Sequence, residues 1–126
     1  MREILFRGKR VDNSKWMKGD LIGVPSHPHI ENNVPDLRAV IPETVGQYTG
    51  ITDKNGVKIF EGDIVVWDYN EADFDGSTHS TPELVRWDKD CCGFIVNDDG
   101  EGTIDENCRV IGNIHDNSEL LKRGIL

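Results

Sequence analysis

The stretch Tyr48 to Trp67, YTGITDKNGVKIFEGDIVVW, constrains the fold of this chain more than any other. A polar run, Thr52-Asp53-Lys54-Asn55-Gly56, separates a short apolar lead-in from a segment ending in Gly62-Asp63-Ile64-Val65-Val66-Trp67. Asp, Asn and Gly tolerate the left-handed conformations of a tight reversal, so the pattern predicts a β-hairpin feeding a buried strand. Residues 62–67 lack polar alternation. Both faces of that strand are therefore expected to be covered, one by barrel packing and one by the N-terminal hairpin or a neighbouring subunit.

Strand signals dominate the rest. In Glu3 to Arg7, Ile4 and Phe6 share one face, and Asp12-Asn13-Ser14 is a turn, so residues 3–11 and 15–24 are expected to pair as a hairpin. In its second arm Trp16 and Lys18 share a face, with Met17 and Gly19 opposite, and Leu21 to Val24 reads as a short buried strand. Residues 25–37 hold three prolines among polar neighbours, which predicts an irregular loop with at most a brief edge strand. Arg38 to Val45 is extended, broken by Pro42. Asp68 to Pro82 is a long polar loop. Pro82 to Trp87 alternates with Val85 and Trp87 pointing the same way, and Asp88-Lys89-Asp90 turns the chain into a strand at Gly93 to Val96. An acidic loop over 97–107 precedes a last strand, Arg109 to Ile114. Asn117 or Ser118 is placed to cap one short helix, Glu119 to Arg123, with Gly124 as its stop.

The 126 residues suffice for one domain, or one domain with a small elaboration, and carry a net charge of −9. That charge repels phosphate backbones and counts against a general nucleic-acid binder. The exception is the N-terminus, where Arg2, Arg7, Lys9, Arg10, Lys15 and Lys18 face only Glu3 and Asp12. The first fifteen residues are too charged for a signal peptide, and no apolar run approaches the ~18–20 residues of a membrane span. Cys91, Cys92 and Cys108 are odd in number and irregular in spacing, so a disulfide scaffold is not expected. These features predict a cytoplasmic protein with reduced thiols.

No reactive constellation stands out. His27 and His29 share a face if extended and could meet one metal ion, with His79, His115 or the cysteines as further ligands. A polar surface loop explains the pair more simply. Asn97 to Glu106 invites a calcium reading, but aligning Gly100 as the sixth position of an EF-hand loop puts Ile95 first, where no side-chain oxygen exists. A solvated hairpin tip is the simpler identity. Cys91 and Cys92 are adjacent and point apart in a strand, and no CxxC is present; structural thiols are expected. Asp53 serves its turn, while Glu61 and Asp63 flank the glycine that begins a strand. Gly46, Gly50 and Gly56 have no phosphate-loop spacing. Trp16, Trp67 and Trp87 lie in apolar strand patterns and read as core or subunit-interface packing.

Tyr48-Thr49-Gly50-Ile51, Asp53-Lys54-Asn55-Gly56, Ile59 to Val65 and Val110 to Leu121, together with Arg2-Glu3-Ile4, Phe6-Arg7 and Trp16 to Leu21, resemble the YopX family of phage and prophage proteins. The likeness runs through both ends and the middle, and skips 25–37 and 68–82. It implies a small, mainly β, self-associating protein of unknown biochemical role, with no catalytic residues to carry over. The expected architecture is mainly β. Residues 44–126 are expected to form a small SH3-like barrel, residues 1–43 an N-terminal β-strand elaboration, and one short helix to lie near the C-terminus. The expected function is non-catalytic: a homo-oligomer that binds a host or phage protein, with no cofactor, no metal, no catalytic residue and no membrane association. Nucleic-acid or nucleoprotein binding through the basic hairpin, or acidic DNA mimicry, are the alternatives.

Overall fold

The computed structural model describes residues 3–32, 36–67, 82–90, 92–96, 104 and 106–123. The chain falls into two compact units, Met1–Gly50 and Ile51–Leu126. The architecture is mainly β, with one short helix. Among the described residues no helix is long and apolar enough to cross a membrane.

The first unit holds β1 (Phe6–Lys9), β2 (Trp16–Val24), β3 (His27–Glu31), β4 (Leu37–Ala39) and the start of β5 (Gly46–Thr52). They form an antiparallel sheet in the order β4-β3-β2-β1-β5. The predicted β1–β2 hairpin is present. Its turn is set by Ser14 at φ 60° and by Asn13 Oδ1, which accepts from the Lys15 N–H at 2.9 Å. In the register, Gly8 faces Met17 and Leu21 faces Ile30, which puts these residues on one side of the pleat. A single bridge between Arg10 and Val40 ties the chain after β4 back to the end of β1. It is flanked by bonds from Val11 N–H to the Ala39 carbonyl and from Ile41 N–H to the Lys9 carbonyl. The sheet thus curls over Met17, Ile30 and Val40, with Phe6 and Val45 against them. Thr44, in the 3-10 turn Pro42–Thr44, accepts from the Lys9 N–H and donates to the Ile41 carbonyl.

Three expectations for this unit are corrected. Residues 27–31 form an interior strand paired on both sides, where a loop with at most an edge strand is predicted. Pro28 is buried within it. Its carbonyl accepts from Val40 N–H at 3.0 Å, so the missing N–H falls on a rung just past the end of β4 and costs the ladder little. Leu21 to Val24 is a strand but not a buried one, with Leu21 39%, Ile22 41% and Val24 59% exposed. Ile4 precedes β1 and is exposed rather than sharing a packed face with Phe6.

In the second unit the predicted turn joins β5 to β6 (Lys58–Phe60), followed by β7 (Asp63–Trp67), β8 (Glu83–Leu84), β9 (Arg86–Asp88), β10 (Gly93–Ile95), β11 (Cys108–Asn113) and α1 (Glu119–Arg123). Strands β11-β7-β8 form one antiparallel sheet and β10-β9 a two-stranded ribbon; among the described residues no sheet closes into a barrel. Residues Asp63 to Val66 are all buried, as the unbroken apolar run requires. Ile59, Val65, Val85, Val96, Ile104 and Cys108 make the core, edged by Ile51, Trp67, Phe94 and Val110. Val85 and Trp87 do not share an environment, against expectation: Val85 is 1% exposed and Trp87 48%. Val85 lies between β8 and β9 and pairs with the start of β7, donating to the Asp63 carbonyl and accepting from Gly62 N–H. The alternation breaks there. The polar loop 68–81, most of the acidic loop 97–107, and Gly124 lie outside the described residues.

Close approach makes one glycine in the first unit irreplaceable. A Cβ on Gly19 would lie 2.2 Å from the Glu31 carbonyl oxygen, a main-chain atom that no side-chain rotation can move. Gly56 has φ +83° with nothing within 4 Å of its would-be Cβ, so substitution there costs only backbone strain. Gly19→Ala is expected to destabilise by about 3 kcal/mol and Gly56→Ala by about 1 kcal/mol in urea unfolding. Equal losses would refute this account of the β2–β3 packing.

Candidate functional site

The polar centre of the second unit is Asp53. Its Oδ1 accepts from Asn55 N–H and Val57 N–H, both at 2.9 Å, closing the turn. Its Oδ2 accepts from Val110 N–H at 2.9 Å, on a strand 57 residues away. The next residue adds Lys54 N–H to the Cys108 carbonyl. The side chain is 4% exposed. Burial pushes its carboxyl up and is the largest single influence, but donation from Val110, Val57 and Asn55, with the charge of Lys54, holds it below the ordinary aspartate value. Asp63 acts similarly: it is buried, and its Oδ2 accepts from Phe60 N–H at 2.7 Å.

A second polar lattice follows β11. Asn113 Oδ1 accepts from His115 N–H and Asp116 N–H, while its Nδ2 donates to Asp116 Oδ2. Asn117 Oδ1 accepts from Asn113 N–H, and a Cβ on Gly112 would lie 2.5 Å from that oxygen. The short helix forms as predicted, with Leu120 N–H donating to the Asn117 carbonyl. The Asn117 side chain, one of the two expected caps with Ser118, instead turns back to the strand end.

The other residues singled out in the sequence lie apart. His27 and His29 do sit on one side of β3, but His29 Nδ1 donates to the His27 carbonyl at 3.1 Å, and His27 Nδ1 is 3.0 Å from Ser26 Oγ. His115 is in the turn after β11 in the second unit. Among the described residues no group of three or more His, Cys, Asp or Glu is placed to hold a metal ion. His79, Cys91 and Asn97 to Thr103 lie outside the described residues. Cys108 is fully buried and Cys92 exposed at φ 55°, its Sγ 3.5 Å from the Lys89 carbonyl.

The tryptophans diverge. Trp67 packs against the core, as expected. Trp87 is half exposed, edge-on to Phe94 at 5.2 Å. Trp16 carries the Arg7 guanidinium 4.7 Å and Lys9 Nζ 5.5 Å from its ring centre, a cation–π cluster on the outer side of the curled sheet. Sequence reading found the cations and the ring separately; the β1–β2 register is what joins them. On the other side, Leu21, Val24, Pro25, Pro28, Pro42 and Val45 line an open apolar groove of about 280 Å³.

The profile described as YopX protein matches residues 5–122. The chain belongs to the YopX family. A crystal structure of protein EF1440 from Enterococcus faecalis is similar over 96% of this chain and 99% of that one, with a TM-score of 0.57 and 21% identity, a likeness of fold. No curated protein matches at a significant level. The residues that carry the YopX resemblance include Asp53, Gly62, Asp63, Gly112, Asn113 and Asn117, and the side-chain oxygens of Asp53, Asp63, Asn113 and Asn117 accept from main-chain N–H groups.

Asp53 generates a direct test. Its stabilisation is complete above about pH 4, where an unfolded aspartate is ionised, and is lost as pH falls through the lower folded value. Asp53→Ala strands three N–H donors and is expected to cost about 3 kcal/mol; Asp53→Asn keeps one acceptor but sets an amide against Val110 N–H, for about 2 kcal/mol. Chemical denaturation between pH 7 and pH 3 should show a shallower acid loss in the Asn variant. Wild-type stability of that variant at pH 7 would overturn the assignment.

Proposed function

We propose that this YopX protein is a phage- or prophage-encoded accessory protein that works by binding. It acts in the bacterial cytoplasm as a homo-oligomer that engages a host or phage protein, without cofactor, metal or catalysis. In this reading residues 44–126 complete a small SH3-like barrel, a scaffold suited to presenting loops. One observation carries the proposal: in the family stretches, side-chain oxygens of Asp53, Asp63, Asn113 and Asn117 accept from backbone N–H groups. Asp53 alone holds three of them. A general base or nucleophile needs its lone pair directed at a reacting atom, and these point into the fold.

The surface supports the same reading. Val24, Leu37 and Trp87 are about half exposed, apolar area of the kind that partners cover. The net charge of −9 favours basic protein partners over phosphate backbones. Light scattering coupled to size exclusion is expected to give a mass at a multiple of 14.2 kDa at micromolar concentration. A strict monomer under those conditions would remove self-association from the proposal.

A further inference from the structure

Asn55–Gly56 is the one Asn-Gly pair in the chain, and it lies at the tip of the turn that Asp53 closes. The amide of an asparagine is open to attack by the main-chain nitrogen of the next residue when it is free to turn and the approach is unobstructed. The asparagines of this fold differ in both respects. Asn13, Asn113 and Asn117 each have Oδ1 accepting from a main-chain N–H, which fixes the carboxamide. They precede Ser14, Ile114 and Ser118, whose Cβ atoms crowd the attacking nitrogen. Asn55 is exposed, the residue after it has no Cβ, and nothing lies within 4 Å of where that Cβ would be.

We propose that Asn55 is a spontaneous modification site of the folded protein, converted through a cyclic imide to aspartate and isoaspartate, and that Asp53 sets the rate. The Gly56 nitrogen loses its proton to hydroxide and bonds to Asn55 Cγ. The Cγ–Nδ2 bond breaks, and the leaving nitrogen takes a proton from water and departs as ammonia. Water then opens the ring at Cγ, giving aspartate, or at the main-chain carbonyl, giving isoaspartate. No oxidation or reduction is involved, and a neutral amide becomes a carboxylate, adding one negative charge to the chain's −9. The closed turn holds this reaction back. Gly56 N–H donates to the Asp53 carbonyl at 3.0 Å, while Asp53 Oδ1 grips the N–H groups on either side, those of Asn55 and Val57, at 2.9 Å. These bonds keep the proton of the nucleophile engaged and fix the peptide plane that must rotate toward Cγ. Conversion therefore waits for the turn to open.

The isoaspartyl product reaches beyond the turn. It adds a methylene to the main chain between residues 55 and 56, so Asn55 N–H lies before the insertion and Val57 N–H after it. One carboxylate oxygen then no longer fits both. The other oxygen of Asp53 holds Val110 N–H on β11, so the same change loosens the anchor of the last strand.

Peptide mapping of the full chain, incubated for weeks at mildly alkaline pH, tests this by reading the amide-to-acid mass gain and isoaspartyl methyltransferase labelling at residue 55. Native wild-type protein is expected to convert there about 10-fold or more slowly than the same chain unfolded in urea, the ratio being the fraction of time the turn is open. Asp53→Asn should convert at residue 55 faster than wild type, toward the unfolded rate, and Gly56→Ala should lose the product. The isoaspartyl form, separated by ion exchange, should unfold at a lower urea concentration than fresh protein. No conversion at residue 55 in native protein, where the unfolded chain converts, would remove the site, as would a Gly56→Ala variant that converts like wild type. Native conversion as fast as in urea, or an Asp53→Asn rate equal to wild type, would overturn the role of Asp53. If that variant does not fold, subdenaturing urea reads the same opening in wild type, where a rising rate supports the gate and a flat one refutes it. An isoaspartyl form as stable as fresh protein would sever the link to β11.

Discussion

Everything in the second unit depends on one buried carboxylate. Asp53 closes its own turn with one oxygen and holds β11 with the other, so a local reversal and a contact 57 residues away share a single side chain. A neutral side chain of similar size would satisfy one of these demands and oppose the other. An ionised carboxylate accepts on both oxygens and suits a site where every neighbouring polar group is an N–H donor. Once β11 is placed, it pairs with β7 from Cys108–Trp67 to Asn113–Asp63, with a bulge between Val110 and Gly112. That bulge begins the bend leading to the Asn113–Asn117 lattice and the helix. Core, bulge and helix therefore follow from where Asp53 anchors the last strand.

The first unit solves a different problem. Its strands are short and its core is three buried residues, so a flat sheet would leave one face of Met17 and Ile30 in water. Curling brings Val40 over both of them. Gly8 makes the approach possible, since a Cβ there would already lie 3.0 Å from Val40 Cβ. The outer side is left polar and charged, and the tip of the β2–β3 hairpin runs past the small core, which is why Ile22 and Val24 remain exposed in spite of their apolar character.

Local signals were legible where the physics is local. Asp53 to Gly56 and Asp12 to Ser14 are set by turn chemistry within a few residues, and the helix at Glu119 also forms where the residues indicate, although the Asn117 side chain bonds the strand end instead of capping it. The doubly buried β7 was legible from its missing alternation. Pro28 misled because proline counts against a strand only when its N–H is needed, and the ladder partner stops one residue short. Val85 and Trp87 share a parity but not a ladder, because Val85 extends the β7–β8 register onto Gly62 and Asp63 while Trp87 in β9 pairs with Phe94 of β10, a division set by non-local partners. Asp53 was readable as a turn residue. Its second role was not, since nothing near it in sequence announces Val110. The cation–π cluster likewise exists only once β1 and β2 are in register.

The distribution of charge follows from these packing solutions. In the first unit a small core favours acids placed beside cations, as Asp12 is with Arg10. The second unit has a larger core and tolerates a net of −10. Part of that is silent: Asp53 and Asp63 are buried among N–H dipoles that balance them. The other fifteen acids of this unit's sequence carry like charge, and an excess of like charge lowers the stability of a compact unit. Such repulsion disappears when a cationic surface covers it. Asp53 and Asp63 thus spend their charge on the main chain and fix the shape of the unit, whereas the acidic excess of its sequence is a cost to stability that the fold itself does not use.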